Sequence, residues 1–261
     1  MIPLYGRAVE TGKRTPLLSD PRAVEIIESI DYDFTRMKAF KGGARGAVLR
    51  TAMFDVWVKQ FLAEHPGGTV VEIGTGLNTR FERLDNSTVT WIDLDLPDVI
   101  ELRRRFFTDT DRRRMLPGSV LDPSWVPPVQ ASPGPYLFVA EAVLLYFTPD
   151  QVNEVFRLLA ANFPGALLAL DTGGQVMANG VNRNDVMRDM GTRMTWICED
   201  PSELEHLGAR LLESRTFAEP QPELRARMPL RFRALSVVMR ALFRRVVRTY
   251  RLNLFRLTDG A

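Results

Sequence analysis

The chain of 261 residues is 45% hydrophobic and 25% charged, with a formal net charge of +2. These values are those of globular proteins and exclude a disordered or fibrous chain, and the length suits one α/β domain with additions. The sole cysteine, Cys198, excludes an internal disulfide and a cysteine-cluster metal site, and no apolar run approaches bilayer length, so we expect a cytoplasmic protein without a metal.

Helical patterns dominate the first part of the chain. Asp20 followed by Pro21 is a favoured helix start, because the carboxylate can cap the first turn and proline fits its first position. This start predicts a helix through residues 23–30, and residues 43–64 have the pattern of a long helix that leads into the first strand. We expect residues 1–65 to form an N-terminal helical cap.

Residues 69–172 alternate short β-branched or apolar runs with helical stretches. This alternation is typical of a mostly parallel sheet whose strands are joined by crossover helices. Helices are predicted at residues 97–107 and 149–162, each opened by a proline at a favoured position. The predicted strands of this core are residues 69–73, 89–94, 116–120, 136–140 and 166–171.

The chain after this region combines two insertions with two strands. Residues 175–196 are rich in glycine, asparagine, methionine and arginine, a composition that suits a mobile lid. Residues 209–217 and 250–257 are predicted as strands, the last of them antiparallel at the edge of the sheet. A helical insertion at residues 223–247 separates these strands, so residues 66–261 are predicted to form an α/β core that carries both insertions.

An arginine-rich segment lies in the C-terminal part of the chain. Ten arginines and no acidic residue occur between Arg225 and Arg256, a charge pattern that could bind a nucleic acid or an anionic surface. The apolar residues of this segment recur at helical spacing, which predicts a buried apolar face and arginines on the opposite, solvated face. We therefore expect neither a nucleic acid nor a membrane as a partner, and an RNA- or membrane-surface role is the disfavoured alternative. The apolar residues in question are Phe232, Leu235, Met239, Leu242 and Val246.

A glycine-containing turn follows the first predicted strand. Residues 70–76 include Gly74 and Gly76 at the turn, where a larger side chain would block a ligand that approaches the backbone. Asp93 and Asp95 close the second strand about twenty residues later, the separation at which a carboxylate binds ribose hydroxyls in nucleotide-binding folds. The pattern predicts a nucleoside site and leaves both carboxylates as candidates.

The turn lacks the third glycine of a dinucleotide fingerprint, since residues 77–80 contain none, and this disfavours a bound pyrophosphate. S-adenosylmethionine has no phosphate but carries a sulfonium and an ammonium group, for which Glu72 supplies a carboxylate just before the turn. Glu141 brings another carboxylate to the end of the fourth strand, at the edge where open α/β sheets bind ligands. We therefore predict S-adenosylmethionine as the cofactor, and an NAD-dependent oxidoreductase is the disfavoured alternative.

Several segments of the chain together resemble one protein family, chiefly residues 71–81, 91–97 and 141–147. The combination is similar to the leucine carboxyl methyltransferase family, and within it to the polyketide O-methyltransferases of the tetracenomycin type. The resemblance spans nearly the whole chain and implies a class I methyltransferase, that is, a Rossmann-like α/β fold with a mostly parallel sheet. The segments that carry the family resemblance are residues 71–81, 91–97 and 141–147, and those of the tetracenomycin type are residues 7–11, 30–34 and 163–165.

The resemblance also implies roles for residues at matching positions. Arg50, on the helix before the first strand, would hold the carboxylate of the cofactor, and Gly74 would line the methionine portion. Asp95 would take the ribose hydroxyls, with Asp93 as the competing choice.

At the adenine end of the site, the residues match the family by position, but this chain departs from the usual residue type. Ser119 and Val120 match the pair beside the adenine, although this serine stands where aspartate is usual. Asn78 likewise stands where many relatives have aspartate. The full set of candidate cofactor-binding residues is Arg50, Glu72, Gly74, Gly76, Asp93, Asp95, Ser119, Val120 and Glu141.

The chemistry of the acceptor is inferred from the scarcity of general bases. A carboxylate acceptor is ionised at neutral pH and needs no base, whereas a phenol needs one. The only histidines, His65 and His206, are poorly placed in the sequence, so a carboxyl group is favoured over a phenol and no catalytic residue is assigned. We predict an O-methyltransferase for a small aromatic or polyketide-like molecule, as in polyketide or antibiotic biosynthesis.

The acceptor pocket is expected under the lid. Arginines could hold an anionic acceptor there, and methionines and a tryptophan could cover an aromatic one. Each residue also has a structural alternative. The apolar residues would then pack in the core, and the arginines would be solvated. The candidate substrate contacts are Tyr146, Arg193 and Trp196, and the other lid residues of these types are Arg183, Met187, Arg188, Met190 and Met194.

One functional alternative belongs to a different class of protein. A protein of this fold can bind the cofactor and yet have lost methyl transfer. It would then serve another biosynthetic step or bind a partner. Transfer of a labelled methyl group distinguishes the two functions. The oligomeric state is left open by the sequence.

Overall fold

A computed structural model describes residues 1–34, 41–184, 191 and 193–258. Within these ranges the chain forms one seven-stranded sheet with helices on both faces. The strands are β1 (Thr69–Ile73), β2 (Thr90–Asp95), β3 (Arg113–Pro117), β4 (Tyr136–Ala140), β5 (Leu167–Gly173), β6 (Ala209–Arg215) and β7 (Tyr250–Leu257).

The α-helices of the described residues fall before, between and after these strands. Three short 3-10 helices, Pro123–Trp125, Leu144–Tyr146 and Pro201–Leu207, join them. The α-helices are α1 (Ile2–Thr11), α2 (Pro21–Ser29), α3 (Lys41–Glu64), α4 (Arg80–Leu84), α5 (Pro97–Arg103), α6 (Val126–Gln130), α7 (Pro149–Asn162), α8 (Gln175–Arg183), α9 (Pro222–Arg227), α10 (Leu230–Leu242) and α11 (Arg244–Val247).

The strands are arranged in the order β3-β2-β1-β4-β5-β7-β6. The five strands from β1 to β5 run parallel, and β7 is antiparallel to both of its neighbours. The chain order reverses between β1 and β4, so the carboxyl ends of these two strands flank the crevice in which open α/β sheets bind ligands.

The mostly parallel α/β sheet is confirmed, with two differences in detail. The predicted C-terminal strand is antiparallel, but β7 lies inside the sheet and β6 forms the edge. Leu252, Phe255 and Leu257 of β7 are buried, as an interior strand requires. The third strand runs over Arg113–Pro117 and not over residues 116–120. It begins with a buried arginine, and a search for apolar residues does not find a strand that begins in this way.

Alternating side chains of the strands build two core layers, one on each face of the sheet. Val71 and Phe138 belong to the layer that contains α7, and Val70 and Leu137 belong to the layer that contains α3. Asp20 caps α2 by accepting a hydrogen bond from the backbone N–H of Ala23, as its place before Pro21 predicts. The division of the chain at residue 65 stays a prediction.

Most residues of the predicted apolar face of the arginine-rich segment are exposed. Leu235, Leu242 and Val246 are exposed, whereas Arg233 and Met239 on α10 are half-buried. Helical spacing tells which side chains share a face, but not which face turns toward the protein. The prediction of a buried apolar face is therefore wrong. None of the helices in the described ranges has the length and apolar character needed to cross a bilayer.

Candidate active site

Two cavities adjoin at the carboxyl ends of the parallel strands. The larger one measures about 390 Å³ and lies between α1, α3, the turn after β1 and the loop after β4. The smaller one measures about 150 Å³ and lies between the ends of β2 and β3 and the same loop. Gly74 lines both cavities. The two cavities therefore lie next to each other on either side of the glycine turn, and we refer to them together as the cleft.

The two glycines of the turn adopt backbone conformations that other residues rarely tolerate. Gly74 has a φ angle of +64° and Gly76 has one of +47°. A Cβ atom at Gly74 would lie 2.5 Å from Cγ2 of Val143, whereas one at Gly76 would meet nothing within 4 Å. Gly74 is therefore required by both packing and backbone conformation, and Gly76 faces open space in the cleft.

Asp95 closes β2 and lines the smaller cavity. Its Oδ2 accepts a hydrogen bond from the backbone N–H of Gly76 at 2.7 Å, and its Oδ1 accepts one from that of Leu96 at 2.8 Å. A carboxylate oxygen has two acceptor positions, so each oxygen keeps one for a ligand. Burial raises the pKa of Asp95 above its ordinary value, and these two N–H donors act against that rise.

Asp93 is fully buried and lines neither cavity. Its Oδ1 accepts hydrogen bonds from Thr75 Oγ1 at 2.9 Å and Arg103 Nη2 at 3.1 Å. Its Oδ2 accepts one from Arg113 Nε at 2.7 Å. Asp93 therefore ties the glycine turn to α5 and β3, and it is not placed to reach a ligand in the cleft.

Arg80, on α4, is the centre of a buried ion-pair network beside the larger cavity. The side chain is fully buried, and its Nε donates to Asp55 Oδ1 at 2.7 Å. Its two Nη groups donate to Glu72 and Glu141. Buried carboxylates are costly unless they are paired, so Arg80 accounts for three of them at once. The sequence analysis did not assign this role to Arg80.

Glu141 follows β4 and joins Arg80 to Arg50. Its Oε1 accepts hydrogen bonds from Arg50 Nε at 2.8 Å and from Thr51 Oγ1 at 2.7 Å. Burial alone would raise the pKa of Glu141, but the two guanidinium groups and these hydrogen bonds lower it to about 2. Glu141 is therefore ionised at neutral pH, and it orients Arg50 at the wall of the larger cavity.

Asp171, near the carboxyl end of β5, extends the network to β7. Its two oxygens accept hydrogen bonds from the backbone N–H of Ala142 at 2.9 and 3.1 Å, and the Tyr250 hydroxyl donates to Oδ2. Nη1 of Arg50 lies 3.5 Å from that hydroxyl. Ala142 has a φ angle of +56°, a strained conformation that the Asp171 carboxylate stabilises. Burial raises the pKa of Asp171.

Asn78 presents a buried acceptor atom at the wall of the larger cavity. Its Nδ2 donates to Glu72 Oε2 at 3.1 Å. A carboxylate only accepts, so the amide nitrogen must face Glu72 and the amide oxygen must point away. That oxygen is buried and has no hydrogen-bond partner within the described part of the chain. A buried acceptor without a partner calls for a donor from a ligand or from water.

The N-terminal helix α1 forms another wall of the larger cavity. Residues 1–4 line it, and Arg7 anchors the helix. Nε of Arg7 donates to Asp20 Oδ2 at 2.7 Å, and its Nη2 donates to the carbonyl oxygen of Leu77 at 3.0 Å. The first helix of the predicted cap therefore contributes directly to the cleft, whereas the sequence analysis had assigned a site residue of the cap only at Arg50.

The candidate substrate contacts separate into two groups. Tyr146 lines the larger cavity, whereas Arg193 and Trp196 line neither cavity. Trp196 is buried in the core layer that contains α7, because hydrogen bonds from the backbone of residues 195–196 to the carbonyl oxygen of Leu145 hold this segment against the core. Arg183 and Arg193 are exposed and Met194 is buried, while Met187, Arg188 and Met190 lie outside the described residues.

The cleft brings together most of the predicted cofactor residues. The larger cavity is lined by Arg50, Glu72, Gly74, Gly76 and Glu141, and the smaller one by Gly74, Asp95, Ser119 and Val120. Asp171 satisfies the same rule that led to Glu141, a carboxylate near the end of a parallel strand, so the sequence carried a signal for it. Arg80 had no such signal, apart from its place in the segment of residues 71–81 that resembles the family.

A seven-stranded sheet with an antiparallel β7, a glycine turn after β1 and a carboxylate after β2 define a class I, S-adenosylmethionine-dependent methyltransferase. The family model of leucine carboxyl methyltransferase matches residues 1–160. The chain is 32% identical over 203 residues to the tetracenomycin polyketide synthesis O-methyltransferase TcmP of Streptomyces glaucescens, which covers 77% of this chain and 75% of that protein. The chain belongs to the leucine carboxyl methyltransferase family.

Further comparisons give a second methyltransferase relative and two solved structures of the same fold. The S-adenosyl-L-methionine-dependent methyltransferase dpfgK of Gibberella zeae is 26% identical over 226 residues, which is 78% of this chain and 76% of that protein. A Thermobifida fusca protein assigned as a methyltransferase superposes with a TM-score of 0.60 at 19% identity, over 99% of this chain and 94% of its own. A DUF574 family protein from Streptomyces avermitilis superposes with a TM-score of 0.59 at 16% identity, over 98% of this chain and 96% of its own. These two structures share the fold.

Proposed function

We propose that this methyltransferase is an O-methyltransferase that acts on a small aromatic or polyketide-like acceptor, at a carboxyl group. The observation that carries the proposal is the composition of the cleft. Arg50 and Tyr146 line its larger cavity, and no histidine is among the described residues that line either cavity. A carboxylate acceptor suits such a cavity, because it is ionised at neutral pH and needs no general base.

The two histidines lie elsewhere in the structure. His65 follows α3 and packs against Phe61, with the ring centroids 5.3 Å apart. His206 is exposed in a 3-10 helix, where Nδ1 contacts the backbone carbonyl oxygen of Glu203. Neither residue is available as a base for a phenol in the cleft, and this supports the preference for a carboxyl acceptor. The similarity to TcmP supports a polyketide-like acceptor and a place in polyketide biosynthesis.

The residues of the larger cavity fit the amino-acid end of S-adenosylmethionine. The bonds of Arg50 to Glu141 and Tyr250 use two of its five N–H donors, so the guanidinium can also bind the carboxylate of the cofactor. The unpartnered amide oxygen of Asn78 would accept from the ammonium group. Glu72 adds negative charge on the same side of the turn, which stabilises a positively charged ligand.

The residues of the smaller cavity fit the nucleoside end. Asp95 would accept hydrogen bonds from the ribose hydroxyls, because each of its oxygens has one acceptor position that the protein does not use. Ser119 and Val120 would lie beside the adenine. Gly74 lines both cavities, so it would lie beside the methionine portion between the two ends.

The methyl group of S-adenosylmethionine is activated by its sulfonium, so the protein mainly has to bring donor and acceptor into line. Arg50 and Asp95 would fix the two ends of the cofactor. The wall formed by α1 and Tyr146 would enclose the acceptor and exclude water. We assign no residue as a general base, because a carboxylate acceptor is already ionised at neutral pH.

We expect the protein to transfer a labelled methyl group from S-adenosylmethionine to an aromatic hydroxy acid and to form an ester. Release of the label by mild alkali identifies an ester, whereas an ether keeps it. The matched control is the methyl ester of the same acid, which offers only the phenol and should not be labelled. Labelling of this control would contradict the carboxyl assignment. Binding of cofactor and acid without turnover, for every acid tested, would favour a protein that has lost methyl transfer.

A further inference from the structure

Eight of the fifteen exposed large hydrophobic side chains of the described residues lie between Leu230 and Val246. The other seven are scattered over α1, α5, α8, β6 and loops, as single apolar residues are on any protein surface. A concentration of exposed apolar side chains on one helical segment marks an interaction surface.

One side of α10 carries most of these side chains, and we call it the exposed apolar face. Positions 230, 234, 238 and 242 are spaced by four residues and follow one line along the helix. The opposite side of α10, with Arg233, Ser236 and Met239, is half-buried against the protein. The helix therefore turns its apolar side toward the surroundings. The exposed apolar face consists of Leu230, Leu235, Val237, Val238 and Leu242, of which Leu230 and Leu242 are more than 70% exposed.

The charge around this face is mostly positive, and the acidic residue Glu219 pairs with Arg240 of α10. Ten arginines and no acidic residue occur between Arg225 and Arg256, and Arg227, Arg245 and Arg248 are exposed. The whole chain holds 34 lysines and arginines against 32 acidic residues, so the residues outside this segment are together net acidic. The excess of positive charge therefore lies in the segment that carries the exposed apolar face.

Charge and apolarity together select the kind of partner. A second copy of the chain, docked face to face, would bring the arginines of both copies together without an acidic residue in either segment. A second copy docked elsewhere would offer only scattered apolar side chains to the exposed apolar face. An anionic lipid surface instead offers phosphates to the arginines and an acyl boundary to the leucines and valines.

We propose that α10 is a membrane-surface helix that attaches the protein to anionic lipid bilayers, with the exposed apolar face in the interface and the arginines on the lipid phosphates. This inference reverses the expectation of no membrane partner, because that expectation depended on a buried apolar face. The attachment is peripheral and reversible, since the apolar side chains enter only the headgroup and acyl boundary. The net acidic remainder of the protein is repelled by the same lipids, so attachment orients the molecule. The proposal does not depend on the acceptor.

The test is co-sedimentation of the full chain with vesicles of phosphatidylcholine alone or with an equal part of phosphatidylglycerol. We expect binding only to the vesicles that contain phosphatidylglycerol, and weaker binding at high salt, because exposed charges are screened. The variant L235S/V238S/L242S should bind more than about tenfold more weakly, since three apolar side chains no longer leave water. The control variant V9S/V176S/L212S removes three exposed apolar side chains elsewhere and should bind like the unaltered protein.

Circular dichroism and thermal unfolding establish that both variants keep the fold. Arg245→Gln combined with Arg248→Gln should weaken binding to the anionic vesicles and reduce its dependence on salt. The proposal is overturned if the unaltered protein binds neither kind of vesicle, if it binds both equally, or if the two triple variants behave alike. It is also overturned if sedimentation shows a dimer that only L235S/V238S/L242S abolishes, because the exposed apolar face would then be a contact between copies.

Discussion

Replacing Arg80 by methionine should lower the free energy of unfolding by about 3 to 5 kcal/mol, the usual cost of removing one partner from a buried ion pair. The guanidinium is the shared partner of Asp55, Glu72 and Glu141. Without it, Asp55 keeps Arg83 and Glu141 keeps Arg50, but Glu72 keeps only its hydrogen bond from Asn78 among the described contacts. Most of the loss should therefore come from Glu72. Urea unfolding monitored by circular dichroism measures it.

Two further variants make this prediction specific. Arg112→Met makes the same substitution in a partly exposed ion pair with Asp85, and it should lower the free energy of unfolding much less, because solvent screens that pair. Glu72→Gln in the Arg80→Met background should recover part of the loss, because it removes the carboxylate left without a cation. Equal destabilisation by Arg80→Met and Arg112→Met would show that the buried network does not support the site.

Asp95→Ala and Arg50→Ala should each raise the dissociation constant for S-adenosylhomocysteine by more than about tenfold, as the loss of a charge-assisted hydrogen bond does. The two residues line opposite ends of the cleft. Asp95 would bind the ribose and Arg50 would bind the carboxylate of the amino acid. Isothermal titration calorimetry measures both constants.

Neighbouring carboxylates provide the controls for this second prediction. Asp98→Ala removes an exposed carboxylate three residues after Asp95 and should leave the affinity unchanged. Asp93→Asn should lower the stability of the protein, because Asp93 pairs with Arg103 and Arg113, without a comparable loss of affinity in the folded variant. Unchanged binding in both Asp95→Ala and Arg50→Ala would refute the assignment of the cofactor site.

The sequence predicted the elements of the fold well where a local pattern defined them. The apolar run of β1 and the proline-opened helix α7 have the predicted bounds, because burial on both faces and a first-turn proline are local signals. The position of β7 inside the sheet was not predicted, since strand order depends on contacts between distant segments. The bounds of β3 were missed because the buried Arg113 is stabilised by the carboxylate of Asp93 on the neighbouring strand.

The same distinction applies to the site. Gly74, Asp95 and Glu141 follow strands of a parallel sheet and could be placed at one edge from the sequence. Arg80 and the amide orientation of Asn78 depend on side chains that meet only in the folded chain. The orientation of α10 was predicted wrongly, because a helical repeat is the same whether its apolar side faces the protein or a partner.

A crystal structure of the protein with S-adenosylhomocysteine tests the central claim most directly, that the two cavities joined at Gly74 are one cofactor cleft. We expect the ribose hydroxyls on Asp95, the adenine beside Ser119 and Val120, and the amino-acid end in the larger cavity near Arg50. A ligand bound outside this cleft, or a ribose held by Asp93 with Asp95 out of contact, would contradict the account.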